Sequence, residues 1–281
     1  MSRELHTVLE GLAFAEGPRW REDRLWFSDM HAHTVMTVTP EGQSEEVFSV
    51  PGRPSGLGWL PDGRLLVVSM VDRRLLRQEG EGLTLHADLS DLASFHCNDM
   101  VVDVQGGAYV GNFGFDLDAG ETPVATDLIR VDPDGSARIV AEELRFPNGA
   151  VITPDGGTLI VGESFGGCLT AFDIQPKGDL TGRRVFAQLE GAVPDGICLD
   201  AEGAVWVASP VSNEMLRVRE GGEVTERWPT GQMAIACMLG GADRRTLFVL
   251  VSDTTAPDEA VERRSGRILA TRVDVPGAGL P

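Results

Sequence analysis

Residues 147–164 read PNGAVITPDGGTLIVGES, and this stretch contains the unit from which the chain is built. An apolar segment, GAVIT, is followed by the turn signal Pro154-Asp155-Gly156 and by a second apolar segment, TLIVG. Asp-Gly between two apolar runs is a strong hairpin signal. The stretch therefore predicts two antiparallel strands joined by a tight turn.

The same unit recurs five more times along the chain, starting at Ala15, Pro54, Cys97, Pro194 and Ile235. The six starts lie 39, 43, 50, 47 and 41 residues apart. Two further strand-like stretches follow each hairpin, for example HTVMTVTP and QSEEVFSV after the first. Four strands per repeat at this period are typical of a β-propeller. We therefore predict an all-β protein in which residues 1–281 form a single six-bladed β-propeller domain.

The two ends of the chain are expected to meet in this fold. The N-terminal segment HTVLEG would join the last blade and close the ring, beside the stretch RILATRVDV. The alternative architecture is a β-sandwich or a pair of small β-domains. Nearly even repeat spacing and the lack of a Pro/Ser-rich linker favour the propeller.

The composition excludes some classes of binding partner. The 24 basic residues are outnumbered by 43 acidic ones, and the net charge of −19 repels nucleic acids and anionic membranes. No apolar run reaches 18 residues, and the N-terminus lacks the apolar core of a signal peptide. The four cysteines show no C-x-x-C spacing. These features predict a cytoplasmic protein with reduced thiols, no membrane or nucleic-acid partner, and an oligomeric state that the sequence leaves open.

Aligning the repeats places six residues at one equivalent position, at or just before the start of each first strand. They are Glu16, Ser55, Asn98, Asn148, Asp195 and Ala236. The first strand of a propeller blade lines the central channel, so these residues are predicted to form a ring around the axis. Pro-Asn-Gly and Pro-Asp-Gly are also common turn sequences. Glu16 does not fit that simpler explanation, because glutamate is a poor turn residue.

The predicted ring has the donor chemistry of a hard-cation site. Four of its members carry carboxylate or amide oxygens, which select Ca²⁺, Mg²⁺ or Mn²⁺ rather than a metal that prefers histidine or cysteine. The carboxylates of Glu16 and Asp195 would repel one another unless a cation lay between them. Few protein ligands would leave water on the ion, as in a catalytic site.

The second strand of each blade returns to the same mouth, and its loops are expected to surround the ring. His31, His33 and His96 are placed near this mouth. Phe113 and Phe165 are either walls of the mouth or ordinary packing between blades. The sequence alone leaves these two alternatives open.

Four motifs resemble those of the SMP-30/gluconolactonase/LRE family, in order and at matching intervals. They are Ala15-Glu16-Gly17-Pro18-Arg19-Trp20, Asn98-Asp99, Phe146-Pro147-Asn148-Gly149 and Pro194-Asp195-Gly196. The resemblance implies a six-bladed propeller with one divalent cation in the channel. Calcium is the leading ion, with Mg²⁺, Mn²⁺ or Zn²⁺ as alternatives. It further implies that Glu16, Asn148 and Asp195 bind the metal, that Asn98 contacts substrate or the metal shell, and that Asp195 is the general base.

Two positions bear on substrate choice. Family members that hydrolyse gluconolactone usually have an arginine two residues before the asparagine of the third blade, and this chain has His96 there. Asp116 follows the second strand of that blade and is expected to contact a hydroxylated substituent. We therefore predict His96 and Asp116, together with Asn98, as substrate-binding residues.

The leading hypothesis for function is a metal-dependent lactonase that opens the ester ring of a small-molecule lactone, with a sugar-acid lactone as one possible substrate. Two rivals remain. The same site could hydrolyse phosphotriesters, as in diisopropylfluorophosphatase-like members of the wider group. Alternatively, the propeller could be a non-catalytic platform for binding other proteins, a role in which the acidic ring has no purpose.

Overall fold

The computed structural model describes residues 3–281 and contains six four-stranded antiparallel sheets arranged around one axis. Five of the sheets each consist of four strands consecutive in the chain. The sixth combines the first strand of the chain with the last three. The prediction of a six-bladed β-propeller is confirmed.

The strands of the first half of the chain are β1 (His6–Leu12), β2 (Ala15–Arg21), β3 (Arg24–Asp29), β4 (Thr34–Val38), β5 (Ser44–Ser49), β6 (Pro54–Trp59), β7 (Leu65–Ser69), β8 (Arg74–Glu79), β9 (Gly82–Asp88), β10 (Cys97–Val102), β11 (Ala108–Asn112), β12 (Thr126–Val131) and β13 (Ala137–Leu144). The second half contains β14 (Pro147–Ile152), β15 (Thr158–Glu163), β16 (Cys168–Ile174), β17 (Leu180–Gln188), β18 (Ile197–Leu199), β19 (Val205–Ser209), β20 (Glu214–Val218), β21 (Val224–Pro229), β22 (Met233–Gly240), β23 (Thr246–Ser252) and β24 (Gly266–Arg272).

The ring closes where the ends of the chain meet. Strand β1 pairs antiparallel with β24, with His6 opposite Ala270 and Leu12 opposite Gly266. This pairing completes the blade that also contains β22 and β23, as the sequence predicted. On one side of β1, the backbone hydrogen bonds are thus made with a strand more than 250 residues away.

The innermost strands β2, β6, β10, β14, β18 and β22 contact one another in succession around the axis. Their close approach depends on glycine at the contact points. A Cβ atom on Gly149 would lie 2.6 Å from the backbone oxygen of Asp195, in the next blade. Apolar side chains fill the space between blades, among them the fully buried Phe27, Trp206 and Phe248.

The structure also contains elements that the strand repeat does not predict. The helix α1 (Pro257–Arg263) lies between β23 and β24, and short 3-10 turns follow β3 (Met30–Ala32) and β15 (Ser164–Gly166). Within residues 3–281, no helix is long and apolar enough to cross a membrane. Beyond β24, the last residues cross the face opposite the mouth, where Leu280 exchanges two backbone hydrogen bonds with Ile152.

Candidate functional site

The ring residues are held at the axis by irregular pairing at the start of the inner strands. The ladder between the first and second strand of a blade shifts register just after the ring residue, for example between Glu16 and Arg19 and between Pro147 and Ala150. Such shifts are β-bulges or related irregularities, which turn side chains out of the regular alternation of a strand. Four blades share this feature. In the sixth blade the shift lies between Ala234 and Ala236 and so precedes Ala236, and in the fifth blade Asp195 precedes the short strand β18.

Asn148 and Asp195 form the centre of the site. The Asn148 amide nitrogen donates hydrogen bonds to Asp195 Oδ1 and, at 3.3 Å, to the Ser164 hydroxyl. The Ser164 hydroxyl in turn donates to the backbone oxygen of Pro194 at 2.7 Å. The second amide atom, Asn148 Oδ1, is buried without a hydrogen-bond partner in the described part of the chain. This oxygen is therefore available to a cation or a ligand.

The two ring carboxylates have perturbed acidity. Loss of water raises the pKa of Asp195 to about 8, with a further contribution from the negative charge of Asp99, although the hydrogen bond from Asn148 opposes the shift. Burial, followed by the charges of Asp195 and Asp99, raises the pKa of Glu16 well above its usual value. Glu16 is 5% exposed and accepts a hydrogen bond from the Gly17 backbone at 2.8 Å. Two acidic groups that each disfavour the ionised state of the other are suited to share a positive ion.

The remaining ring members contribute less. The Asn98 side chain is buried, and its amide nitrogen donates to the backbone oxygen of Pro147 at 3.3 Å. The hydroxyl of Ser55 is buried and lacks a hydrogen-bond partner among residues 3–281. Ala236 lies at the fourth residue of β22, deeper in its strand than the repeat alignment predicts. Glu16, Asn148 and Asp195 therefore remain the candidate oxygen set, and Asn98 lies next to the blade that carries Asn148.

A buried ion pair next to the ring was missed by the sequence reasoning. The Arg19 guanidinium donates to Asp99 Oδ1 at 2.6 Å and to the backbone oxygen of Leu57 at 2.8 Å, and both residues are buried. Its charge offsets part of the effect of Asp99 on Glu16. One signal was present in the sequence: Asp99 follows its ring residue where four other blades have Gly17, Gly56, Gly149 and Gly196.

His96 lies at the mouth, where Asp116 is also within electrostatic reach. The His96 ring packs 4.1 Å from that of Phe95 and 5.9 Å from that of Phe113. Burial, and then the charge of Arg53, lowers the pKa of His96, whereas Asp116 acts in the opposite direction. The Asp116 carboxylate caps its own loop by accepting a hydrogen bond from the Ala119 backbone at 2.9 Å.

Aromatic side chains from the third and fourth blades form one wall of the mouth. The Phe146 ring lies 4.4 Å from that of Phe113 and 5.3 Å from that of Phe165. Phe165 is 45% exposed, whereas Phe146 is buried. The sequence left open whether Phe113 is a wall of the mouth or packs between blades. It does both, because it packs between blades and also borders His96.

Two cavities, of about 280 and 290 Å³, lie at the end of the channel opposite the ring. They are bordered by the C-terminal tail, including Leu280, and by loop residues such as Val104. None of the six ring residues lines either cavity. In addition, residues 3–281 contain no cluster of three His, Cys, Asp or Glu side chains arranged to bind a metal. The candidate set differs in kind, since it combines two carboxylates with an amide.

Fold and site together define a six-bladed propeller with an oxygen-lined centre at one end of its channel. The family profile described as the SMP-30/Gluconolactonase/LRE-like region matches residues 14–253. The chain belongs to this family, and the predicted membership is confirmed.

Individual relatives are similar over most of their length. A 6-deoxy-6-sulfogluconolactonase of Pseudomonas putida is 28% identical, over 98% of this chain and 96% of its own. Regucalcin of Danio rerio is 26% identical, over 83% of this chain and 81% of its own. The solved structure of regucalcin from Agrobacterium tumefaciens, described as a calcium-binding protein, shares the fold with a TM-score of 0.84. It is 21% identical, over 100% of this chain and 97% of its own.

Proposed function

We propose that the protein is a metal-dependent hydrolase that opens the ester ring of a lactone. The observation that carries this proposal is the convergence of Glu16, Asn148 and Asp195 from three blades. Asn148 holds Asp195 through its nitrogen and leaves Oδ1 buried and unpartnered, while the pKa of both carboxyls is raised. A structural role alone would not favour two charged groups that repel in a buried position.

These residues fit a divalent cation. Glu16, Asn148 and Asp195 would hold it through hard oxygen donors, the set that Ca²⁺ prefers and that Mg²⁺ or Mn²⁺ also accepts. A cation there would supply the missing partner of Asn148 Oδ1 and offset the repulsion between the carboxylates. When bound, an ion of this type polarises a carbonyl oxygen and increases the acidity of nearby water.

The chain's own residues account for the proton transfers. Asn148 engages Asp195 Oδ1, so Oδ2 is free to take the proton of an attacking water. Water oxygen bonds to the lactone carbonyl carbon, the ring C–O bond then breaks, and the proton on Asp195 passes to the departing alkoxide oxygen. Asn98, His96 and Asp116 are proposed to contact the substituents of the lactone ring.

The relatives support a lactone as substrate. The Pseudomonas putida protein is named for hydrolysis of a gluconolactone derivative, and the name of the matching family includes gluconolactonase. The calcium-binding relative supports calcium as the ion. Assays on different lactones are needed to identify the particular substrate.

A substrate panel with metal titration tests the proposal. Purified protein is stripped with chelator and assayed on γ- and δ-lactones and on phosphotriesters, before and after addition of Ca²⁺, Mg²⁺ or Mn²⁺. We expect lactone hydrolysis that disappears with the metal and returns on its addition. Hydrolysis of phosphotriesters alone, full activity in the stripped protein, or no activity with any metal would each contradict it.

A further inference from the structure

A second layer of residues lies directly above the ring, and one repeated hydrogen bond defines it. In four blades, the residue two positions before the ring residue accepts a backbone hydrogen bond from the residue that follows the second strand. The donor–acceptor pairs are Met30 to Phe14 at 2.8 Å, Met70 to Arg53 at 2.9 Å, Phe113 to His96 at 2.9 Å and Ser164 to Phe146 at 3.1 Å. Arg53 therefore occupies in the second blade the place that His96 occupies in the third.

The charge of Arg53 is not neutralised. Within residues 3–281 its guanidinium has neither an ion-pair partner nor a hydrogen-bond acceptor, although its side chain is partly buried. The neighbouring Arg73, by contrast, donates to the backbone oxygens of Ser90 and Ala93. An unpaired guanidinium in a partly desolvated position is a strong binding group for an anion.

The backbone at Arg53 is also unusual. Its φ of 64° falls in the left-handed region, which favours glycine over residues with a long side chain. The conformation is held by hydrogen bonds from Arg53 N to the Val50 oxygen and from Met70 N to the Arg53 oxygen. Strained residues of this kind cluster at functional sites, where the fold holds a side chain in a required position.

Neutral and apolar groups lie near this cation, and the acids Asp116 and Asp118 are within electrostatic reach of the same region. Burial and the charge of Arg53 lower the pKa of His31 to about 4 and also lower that of His96, so both rings are uncharged at neutral pH. His31 Nδ1 is buried without a hydrogen-bond partner in the described chain. Phe14, Met30 and Met70 form part of an apolar cluster at the same end of the channel.

We propose that Arg53 binds an anionic substituent of the substrate, and that the substrate is a lactone bearing a carboxylate, sulfonate or phosphate group. The proposal rests on the lactonase function and deepens it. The planar guanidinium offers paired N–H donors that match the oxygens of all three groups. His31 and His96 provide neutral hydrogen-bonding groups beside it, and the ring lies one layer below.

Matched lactones test this assignment. D-glucaro-1,4-lactone and D-glucono-1,4-lactone differ only in a carboxylate against a hydroxymethyl group, and 6-phospho-D-gluconolactone adds a phosphate arm. Hydrolysis by Arg53→Gln and Arg53→Lys is compared with that of the unaltered protein. For the preferred anionic lactone, Arg53→Gln is expected to raise KM roughly ten- to hundredfold, the span for loss of a charged hydrogen bond. Its kcat should change little, Arg53→Lys should restore part of the affinity, and KM for the neutral lactone should be unchanged.

Asp118 provides the control, because this exposed acid also acts electrostatically on both histidines. If Arg53 serves only to pair with Asp118, then Asp118→Asn and Arg53→Gln will give equal losses with every lactone. Under our proposal, Asp118→Asn leaves KM for the anionic lactone unchanged or lower. Equal use of neutral and anionic lactones by the unaltered protein would overturn the proposal and leave the lactonase function intact. Hydrolysis of none of them by any metal-loaded form would count against the lactonase function itself.

Discussion

At the scale of single residues, Asn148 explains how the site can be both assembled and open. Its amide nitrogen fixes Asp195, a residue 47 positions away in the chain, while its amide oxygen stays buried and unpartnered. A buried acceptor without a partner costs roughly 1–3 kcal/mol. The native fold tolerates this cost at the point where a ligand would relieve it.

The first prediction separates ligands from bystanders. Glu16→Gln and Asn148→Ala are expected to weaken divalent-cation binding by tenfold or more, roughly the span of one charge-assisted contact. Ser55→Ala is the matched control, because the Ser55 hydroxyl occupies the same ring and has no hydrogen bond to lose within residues 3–281. Isothermal titration with Ca²⁺ measures each affinity. Equal losses in Ser55→Ala and Glu16→Gln would show that the ring is wrongly assigned.

The second prediction concerns the base. Asp195→Asn keeps the size of the side chain and one oxygen but removes the proton acceptor. We expect kcat to fall by roughly 10²–10⁴, the usual range for loss of a general base. Bound metal should still be detected by equilibrium dialysis at saturating concentration. If the variant holds metal and keeps nearly normal kcat, another group must take the proton.

At the scale of elements, the inner strands set the spacing of the ring. The Gly149 Cα lies so close to the fifth blade that an added Cβ would be 2.6 Å from both the Asp195 oxygen and the Ile197 nitrogen. Backbone atoms cannot yield as a flexible side chain can. Glycine here therefore fixes the distance between the strands that carry Asn148 and Asp195.

The third prediction follows from this contact. Gly149→Ala is expected to destabilise the fold by about 1–3 kcal/mol, the typical cost of overpacking, and to weaken metal binding by moving Asp195. Gly82→Ala is the control, since an added Cβ would lie 4.0 Å from its nearest neighbour, the Glu79 backbone oxygen, and the φ of Gly82 is not in the left-handed region. Urea unfolding measures both. A Gly149→Ala protein as stable as Gly82→Ala would show that the inner strands can separate without cost.

The elements also show which features a sequence can and cannot reveal. Six hairpins at regular intervals predict the blades, and aligning them predicts the ring, because both are repeated patterns. The Arg19–Asp99 ion pair joins blades one and three. Its one sign in the sequence is an aspartate at a position where four other blades have glycine. Helix α1 and the C-terminal tail each occur once, so the repeat pattern does not predict them. Whether the Arg53 guanidinium has a partner depends on residues that are distant in the chain, so the local sequence does not predict it.

At the scale of the whole molecule, the net charge of −19 favours a cation in the channel and opposes an anionic substrate. A local positive group at the mouth would offset that field where the substrate enters. Arg53 is such a group. At the ring itself, burial and the neighbouring carboxylates disfavour the ionised state of Glu16 and Asp195, and a bound cation would offset both effects.

The fourth prediction is a pH dependence of the metal-free protein. In the unfolded chain the Asp195 carboxyl ionises near 3.8, whereas in the folded state it keeps its proton to about 8. The folded state therefore binds more protons across this interval, and the free energy of unfolding should fall as pH rises from about 4 to 8. One fully retained proton contributes up to about 1.4 kcal/mol per pH unit.

Urea unfolding in the presence of chelator, at intervals between pH 4.5 and 8.5, measures this slope. Asp195→Asn lacks the titrating group and should show a shallower decline, while saturating Ca²⁺ should reverse the trend by binding the ionised form. Identical slopes for the variant and the unaltered protein without metal would show that Asp195 ionises normally in the fold.

The pairing of β1 with β24 has a consequence for the order of events during synthesis. Strand β1 is translated before every other strand of the propeller and its partner β24 after every other one, so β1 has exposed hydrogen-bonding groups while five blades emerge. The ring of oxygens that those blades carry can then be closed only after β24 has been translated. A nascent chain cut short before β24 would contain Glu16, Asn148 and Asp195 and still lack the closure that holds them together.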